Sequence, residues 1–162
     1  MKATVITASR RAAEGVYEDT GGPLIVEALV EQGFEVTGPV VVPDGQPVAD
    51  AIAAALADGA RAILTTGGTG LTPTDLTPEM TMPFLHREVP GVAEAIRAYG
   101  AGRGVPTAAL SRGLAGVSGS TLIVNLPGSP KAARESLEAV LAILPHAVAL
   151  VRASAPRPSR KS

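Results

Sequence analysis

The 162-residue chain has no cysteine, which excludes disulfides, thiolate metal sites and a cysteine nucleophile. Aromatic side chains are almost as scarce, with two Phe, two Tyr and no Trp. The core must therefore be built from Val, Leu, Ile and Ala, and single-stranded nucleic acid finds few surfaces on which to stack its bases. The formal net charge is −1, so no overall field draws DNA or an anionic membrane to the chain. No run approaches the roughly 18 to 20 apolar residues that a membrane-spanning helix needs. The stretch Met1 to Thr7 is too short for a secretory signal, lacks its cleavage site, and reads as a strand. A cytoplasmic protein with no nucleic-acid or membrane partner is the expectation.

What is present is apolar: 46% of residues against 18% charged, too apolar for a disordered chain. The length suits one domain with a real core. Residues 1–152 read as that domain, and 153–162, rich in Pro, Ser, Arg and Lys, as a disordered tail. The basic residues Arg152, Arg157, Arg160 and Lys161 could touch a phosphate or simply be solvated.

Strand-like and helix-like stretches alternate. Strands are expected at Ala3 to Ala8, Glu35 to Val42, Arg61 to Thr66, Thr107 to Leu110 and Thr121 to Leu126. Helices are expected from Gly22-Pro23 to Gly33, from Pro47 to Leu56, as a short piece after Thr77 that Pro83 interrupts, and from Pro90 to Gly100. A long helix follows Ser129-Pro130, with Leu137, Val140, Leu141 and Leu144 on one face and Glu135 and Glu138 on the other. This β-α-β alternation predicts an α/β fold with a mostly parallel sheet covered by helices on both faces. Ligands of such sheets bind beyond the carboxyl ends of the strands. Pro43-Asp44-Gly45, Gly67 to Gly70, Ser111-Arg112-Gly113 and Pro127-Gly128-Ser129 each follow an expected strand and should gather there.

Residues 65 to 79 carry the most information. Gly67, Gly68 and Gly70 crowd into four positions, flanked by Thr65, Thr66 and Thr69, and Asp75 follows just before the helix start Thr77-Pro78-Glu79. Glycines bring backbone N–H groups close to an anion, and a helix start adds partial positive charge. The loop is no P-loop, because Leu71-Thr72 stands where Lys-Ser/Thr would be, and it lacks the Gly-x-Gly-x-x-Gly spacing. Asp44 and Asp75 could be turn and cap residues; as a pair beside a phosphate cradle they are also the hard oxygens that Mg²⁺ takes with substrate phosphates. Ser111 and Asn125 add polar groups at other strand ends, and Asn125 either contacts ligand or pins a loop. Pro127-Gly128-Ser129 offers a second anion site, so the edge suits a ligand with two phosphate ends or two phosphorylated ligands side by side. Few cations stand near the loop in sequence. His86 and His146 have no metal-ligand spacing, and no Gly-x-Ser-x-Gly marks a serine hydrolase.

These segments resemble the MogA/MoaB-like group of molybdenum cofactor biosynthesis proteins, in particular molybdopterin adenylyltransferase. The matching stretches are Gly15 to Asp19, Val42-Pro43-Asp44, Thr65 to Gly70, Asp75 to Glu79, Ser111-Arg112-Gly113 and Thr121 to Pro130, in the family's order over residues 1 to about 151. The resemblance implies a three-layer α/β/α sandwich that assembles as a trimer or hexamer. It implies Mg²⁺-dependent transfer of AMP from ATP to the terminal phosphate of molybdopterin, with release of pyrophosphate. Asp44 and Asp75 would be the catalytic carboxylates and metal ligands. Ser9, Thr66, Gly67, Gly68, Thr69, Gly70, Ser111, Asn125, Pro127, Gly128 and Ser129 would bind substrate. A molybdenum-insertion enzyme and molybdopterin synthase would be partners. The alternative is a non-catalytic molybdopterin carrier of the MoaB branch. Relatives commonly have Ser-Asp where this chain has Ser9-Arg10, and Arg10 could itself pair with a phosphate.

Overall fold

A computed structural model describes residues 1–153. Four parallel strands carry the frame: β1 (Lys2–Ala8), β2 (Glu35–Val42), β3 (Ala62–Thr66) and β6 (Thr121–Leu126). Two short antiparallel strands, β4 (Arg87–Glu88) and β5 (Ala115–Ser118), extend one edge, giving the order β2-β1-β3-β6-β5-β4. The sheet is thus mixed but mostly parallel. Its three central strands are buried on both faces, as strands covered by helices must be. β2 is the exposed edge, where Pro39 leaves no neighbour without a ladder partner and a register shift opposite Val5 lets Gly38 pass close to the Val5 carbonyl.

Alternation along the strands divides the core into two layers. Val5, Leu64 and Val124 face α2 (Gly21–Glu31), α5 (Pro90–Gly102), α6 (Pro130–Leu141) and α7 (Leu144–Ala153). Ile6, Ile63 and Ile123 face α3 (Gln46–Ala57) and the neighbourhood of α4 (Thr77–Thr81). The sandwich is therefore α/β/α, and its core is aliphatic as the composition requires, with Phe34 the one aromatic among the fully buried apolar residues described.

Several expectations are corrected. Thr107 to Leu110 is not a strand: Pro106 opens a 3₁₀ turn over Pro106–Leu110, since proline presets the turn and cannot donate to a ladder. The long C-terminal helix is two, bent by 57°, because Pro145 cannot continue the hydrogen-bond ladder of α6. Ser118-Gly119-Ser120 is the bend of a β5–β6 hairpin, with Gly119 at φ 57°, and β4 and β5 carry no strand-like run of their own. Thr77 is the first residue of α4 and not its cap, which is Leu76. Ala153, assigned to the tail, is the last residue of α7; the rest of the expected tail lies outside the described residues. Among the described residues no single helix is long and apolar enough to cross a membrane.

Candidate active site

Because β1, β2, β3 and β6 are parallel, their carboxyl ends deliver Ser9, Asp44, Gly67 and Pro127 to one edge. Ser9 caps the short α1 (Arg10–Ala13), its Oγ accepting from Ala12 N at 3.2 Å. Asp44 Oδ2 accepts from Arg10 N at 3.3 Å, which ties the end of β2 to the end of β1. Ser129 caps α6 through Ala132 N at 3.1 Å. Ser111-Arg112-Gly113 arrives from the 3₁₀ turn, held by Arg97, whose guanidinium donates to the carbonyls of Ser111 and Gly113 at 3.2 Å each.

The glycine loop is fixed by its carbonyls. Gly68 O accepts from Thr77 N at 3.0 Å, Thr69 O from Arg112 N at 2.8 Å, and Gly70 O from Arg112 Nε at 2.8 Å. In a trans peptide each C=O opposes the next N–H. With these three carbonyls engaged, each N–H of Thr69, Gly70 and Leu71 points away from its own peptide's partner, and none has an acceptor among the described residues. Free N–H groups of this kind are what an anion can bond. Gly67 plays a different part, since its N–H donates to Leu126 O at 3.2 Å and it is buried.

Two clefts open on the two sides of this loop. One, of about 350 Å³, is walled by Ile96, Val105 and Leu110 and carries Ser111, Ser129 and Glu135. The other, of about 430 Å³, carries Thr7, Ser9, Arg10, Arg11, Asp19 and Asp44, with Thr66 and Gly67 at its base. Gly68, Asp75 and Gly128 line both. Thr69, Gly70 and Pro127 line the first cleft only.

Asp75 Oδ2 accepts from Thr72 N at 2.9 Å and Thr72 Oγ1 at 2.7 Å, so one carboxylate oxygen is held and Oδ1 is left without a partner among the described residues. Asp44 is held in the same half-engaged way, with Oδ1 open. Asn125 is expected as a substrate contact but lines neither cleft. It is 2% exposed, donates to Thr65 Oγ1 at 2.9 Å and Thr81 Oγ1 at 3.0 Å, and accepts from Leu114 N at 3.0 Å. Those bonds use its amide to join β3, α4 and β5 beneath the site.

Reading the sequence misses several contributors. Arg112 anchors the loop and also bonds Asp75 O at 2.6 Å and Glu79. The Glu79 carboxyl is held below its usual range, chiefly by the Arg112 hydrogen bond, and Arg112 is raised by the same contact. The help Glu79 gives the loop is accordingly present above the ordinary carboxyl range and lost as pH falls through the lowered value; solvent screening keeps it small. Asp19 takes Thr7 Oγ1 at 2.8 Å and Gly22 N at 2.9 Å, closing one side of the second cleft. Its signal is legible, an acid three residues ahead of Gly22-Pro23. The paucity of cations is also corrected. Arg10 and Arg11 come into the second cleft, neither paired with a carboxylate among the described residues, with Arg11 5.8 Å from the Tyr17 ring centroid.

The fold and this edge define an α/β/α domain with two adjoining clefts that share a wall at Gly68, Asp75 and Gly128. Residues 4–146 match the family described as "Probable molybdopterin binding domain", and the chain belongs to that family. It is 39% identical over 154 residues to the molybdopterin adenylyltransferase of Helicobacter pylori strain J99, covering 91% of this chain and 85% of that protein. It spans only 25% of the "Molybdenum cofactor synthesis protein cinnamon" of Drosophila melanogaster, at 40% identity over 151 residues and 91% of this chain. The molybdopterin biosynthesis Mog protein of Mycobacterium ulcerans superposes with a TM-score of 0.88 at 47% identity, covering 93% of this chain and 98% of that one. The molybdopterin biosynthesis enzyme MoaB of Thermus thermophilus does so at 0.85 and 50%, covering 96% and 99%.

Proposed function

We propose that this chain serves molybdenum cofactor biosynthesis by transferring AMP from ATP to the terminal phosphate of molybdopterin, in the cytoplasm and as a homo-oligomer, trimeric or hexameric. The observation that carries the reading is the wall shared by the two clefts: ligands in each would bring their phosphates together at Gly68, Asp75 and Gly128. An oxygen of the molybdopterin phosphate forms the new bond at the α-phosphorus, the bond to the bridging oxygen breaks, and pyrophosphate leaves with that electron pair. The work left to the chain is positioning and charge stabilisation.

Arg10 and Arg11 suit the triphosphate, which assigns ATP to the second cleft. The apolar walls of the first suit the flat pterin. Glu135, half-buried and without a partner among the described residues, suits the two adjacent N–H donors of the pterin's amino-oxo edge, a pattern that adenine lacks. Asp44 and Asp75 take the catalytic acidic positions. Both residues line the second cleft and each has one hard oxygen without a partner among the described residues, a donor set that fits Mg²⁺, which when bound would neutralise charge on the departing pyrophosphate. The molybdenum-insertion enzyme and molybdopterin synthase complete the proposed partners.

Incubating the protein with ATP, Mg²⁺ and molybdopterin should release pyrophosphate only when all are present. Release no greater than background, with both ligands bound, overturns the transferase and leaves the carrier. Glu135→Gln should weaken molybdopterin binding roughly tenfold, about the worth of one charge-assisted hydrogen bond, and leave ATP binding unchanged. Titration by pterin fluorescence reads this, and a loss of ATP affinity instead would reverse the assignment of the clefts.

A further inference from the structure

Among the described residues, Thr77 Oγ1 is the one buried side-chain oxygen or nitrogen with no hydrogen-bond partner. Leaving a buried hydroxyl unpaired costs stability, and such a group needs a reason. Helical geometry does not supply one. One turn on, Thr81 solves the same problem by donating back to Thr77 O at 2.8 Å, while Thr77 neither does this nor caps α4.

The surroundings of the hydroxyl are specific. Thr77 N donates to Gly68 O at 3.0 Å, clasping the start of α4 to the glycine loop. A Cβ on Gly68 would collide with Thr77 Oγ1 and stand 2.9 Å from Asp44 Oδ1, so both oxygens are close to one point at Gly68. Asp44 Oδ2 is engaged by Arg10 N, and Oδ1 is open. An unpaired donor and an unpaired acceptor therefore both lie close to the point that a side chain at Gly68 would occupy. Gly68 itself lines both clefts, so a ligand seated in either bears on the residue beside which both oxygens stand.

We infer that Thr77 is a positioning residue for Asp44: with the clefts loaded, its hydroxyl donates to Asp44 Oδ1 and fixes the rotation of that carboxylate. A buried unpaired hydroxyl is a local cost of the kind that functional sites carry. The kinetic part of this inference rests on the adenylyltransferase reading; the geometric part does not.

Two substitutions and one structure test it. Thr77→Val keeps the shape and removes the hydroxyl, and Thr77→Ser keeps the hydroxyl. Thr77→Val should match or exceed the wild type in thermal stability, because it removes a buried unpaired group. It should lower kcat for pyrophosphate release on the order of 10- to 100-fold, with the KM for ATP and molybdopterin within about twofold, as loss of one oriented catalytic group would. Thr77→Ser should restore kcat to near wild type. A structure of the wild type loaded with Mg²⁺ and α,β-methylene-ATP should show Thr77 Oγ1 at hydrogen-bond distance from Asp44 Oδ1, about 2.7 Å. A Val variant with wild-type kcat, a Ser variant as slow as Val, or a loaded structure in which the hydroxyl stays unpaired or bonds another group overturns the inference. Should the wild type release no pyrophosphate at all, the transferase reading fails and the loaded structure alone decides this one.

Discussion

Asp75→Asn is expected to reduce pyrophosphate release by about 10²- to 10³-fold, the usual effect of deleting one electrostatic group at a reacting phosphate or carbonyl. The fold gives this substitution an unusually clean geometry. Asp75 Oδ2 accepts two hydrogen bonds from Thr72. The asparagine oxygen must take that place to keep them, which puts the NH₂ where Oδ1 stood. An open acceptor on the wall between the two clefts becomes a donor, and the negative charge is lost. Thermal unfolding should hardly move, since the Thr72 contacts persist. Steady-state release of pyrophosphate alongside a melting curve reads both quantities. Wild-type turnover in Asp75→Asn would reduce Asp75 to a turn residue that closes the loop onto Thr72.

Gly67→Ala is expected to destabilise the domain by roughly 3 kcal/mol or more, and to abolish activity at temperatures where the wild type is folded. Two costs add. Gly67 sits at φ 94°, outside the range that side-chain-bearing residues adopt readily. Its Cβ would also collide with the Ala8 carbonyl oxygen and stand 3.3 Å from the Ala8 carbonyl carbon, and backbone cannot swing aside. Gly128 also packs close to Gly67, its own Cβ position lying 2.9 Å from the Gly67 Cα. Relief would push apart the ends of β1, β3 and β6, on which both clefts are built. Gly59→Ala is the control. At φ 80° with nothing within 4 Å of its Cβ position, it should show only the conformational penalty of about 1 to 2 kcal/mol. Denaturant unfolding of the two variants measures the difference; equal losses would mean that the Ala8 contact is relieved without cost.

The crowding at Gly67 also shows how far local pattern reaches. Three glycines in four positions read as backbone prepared for an anion, and the loop does turn N–H groups outward. Yet besides their positive φ, Gly67 is crowded by Ala8, and Gly68 by Thr77 and Asp44. Those neighbours are distant along the chain. Asn125 is a comparable case. A buried amide in a strand either contacts ligand or pins a loop, and the choice depends on Thr65 and Thr81, which are 60 and 44 residues away.

Sequence alone determined the alternation of strand and helix, the aliphatic core, the cap at Ser129, and the delivery of Asp44, Asp75 and the glycine loop to one edge of a parallel sheet. Those follow from periodicity, glycine and proline placement and capping, whose physics acts over a few neighbouring residues. Only the tertiary structure decided that Pro106–Leu110 turns instead of pairing, that β4 and β5 finish the sheet antiparallel, and that the edge opens as two clefts sharing a wall. It alone brought Arg10 and Arg11 to one cleft and Glu135 to the other, tied the loop to Arg112 across 42 residues, and left the Thr77 hydroxyl unpaired beside Asp44. Each of these is a distance between segments far apart in the chain. Packing of the layers sets such distances, and no local propensity encodes them.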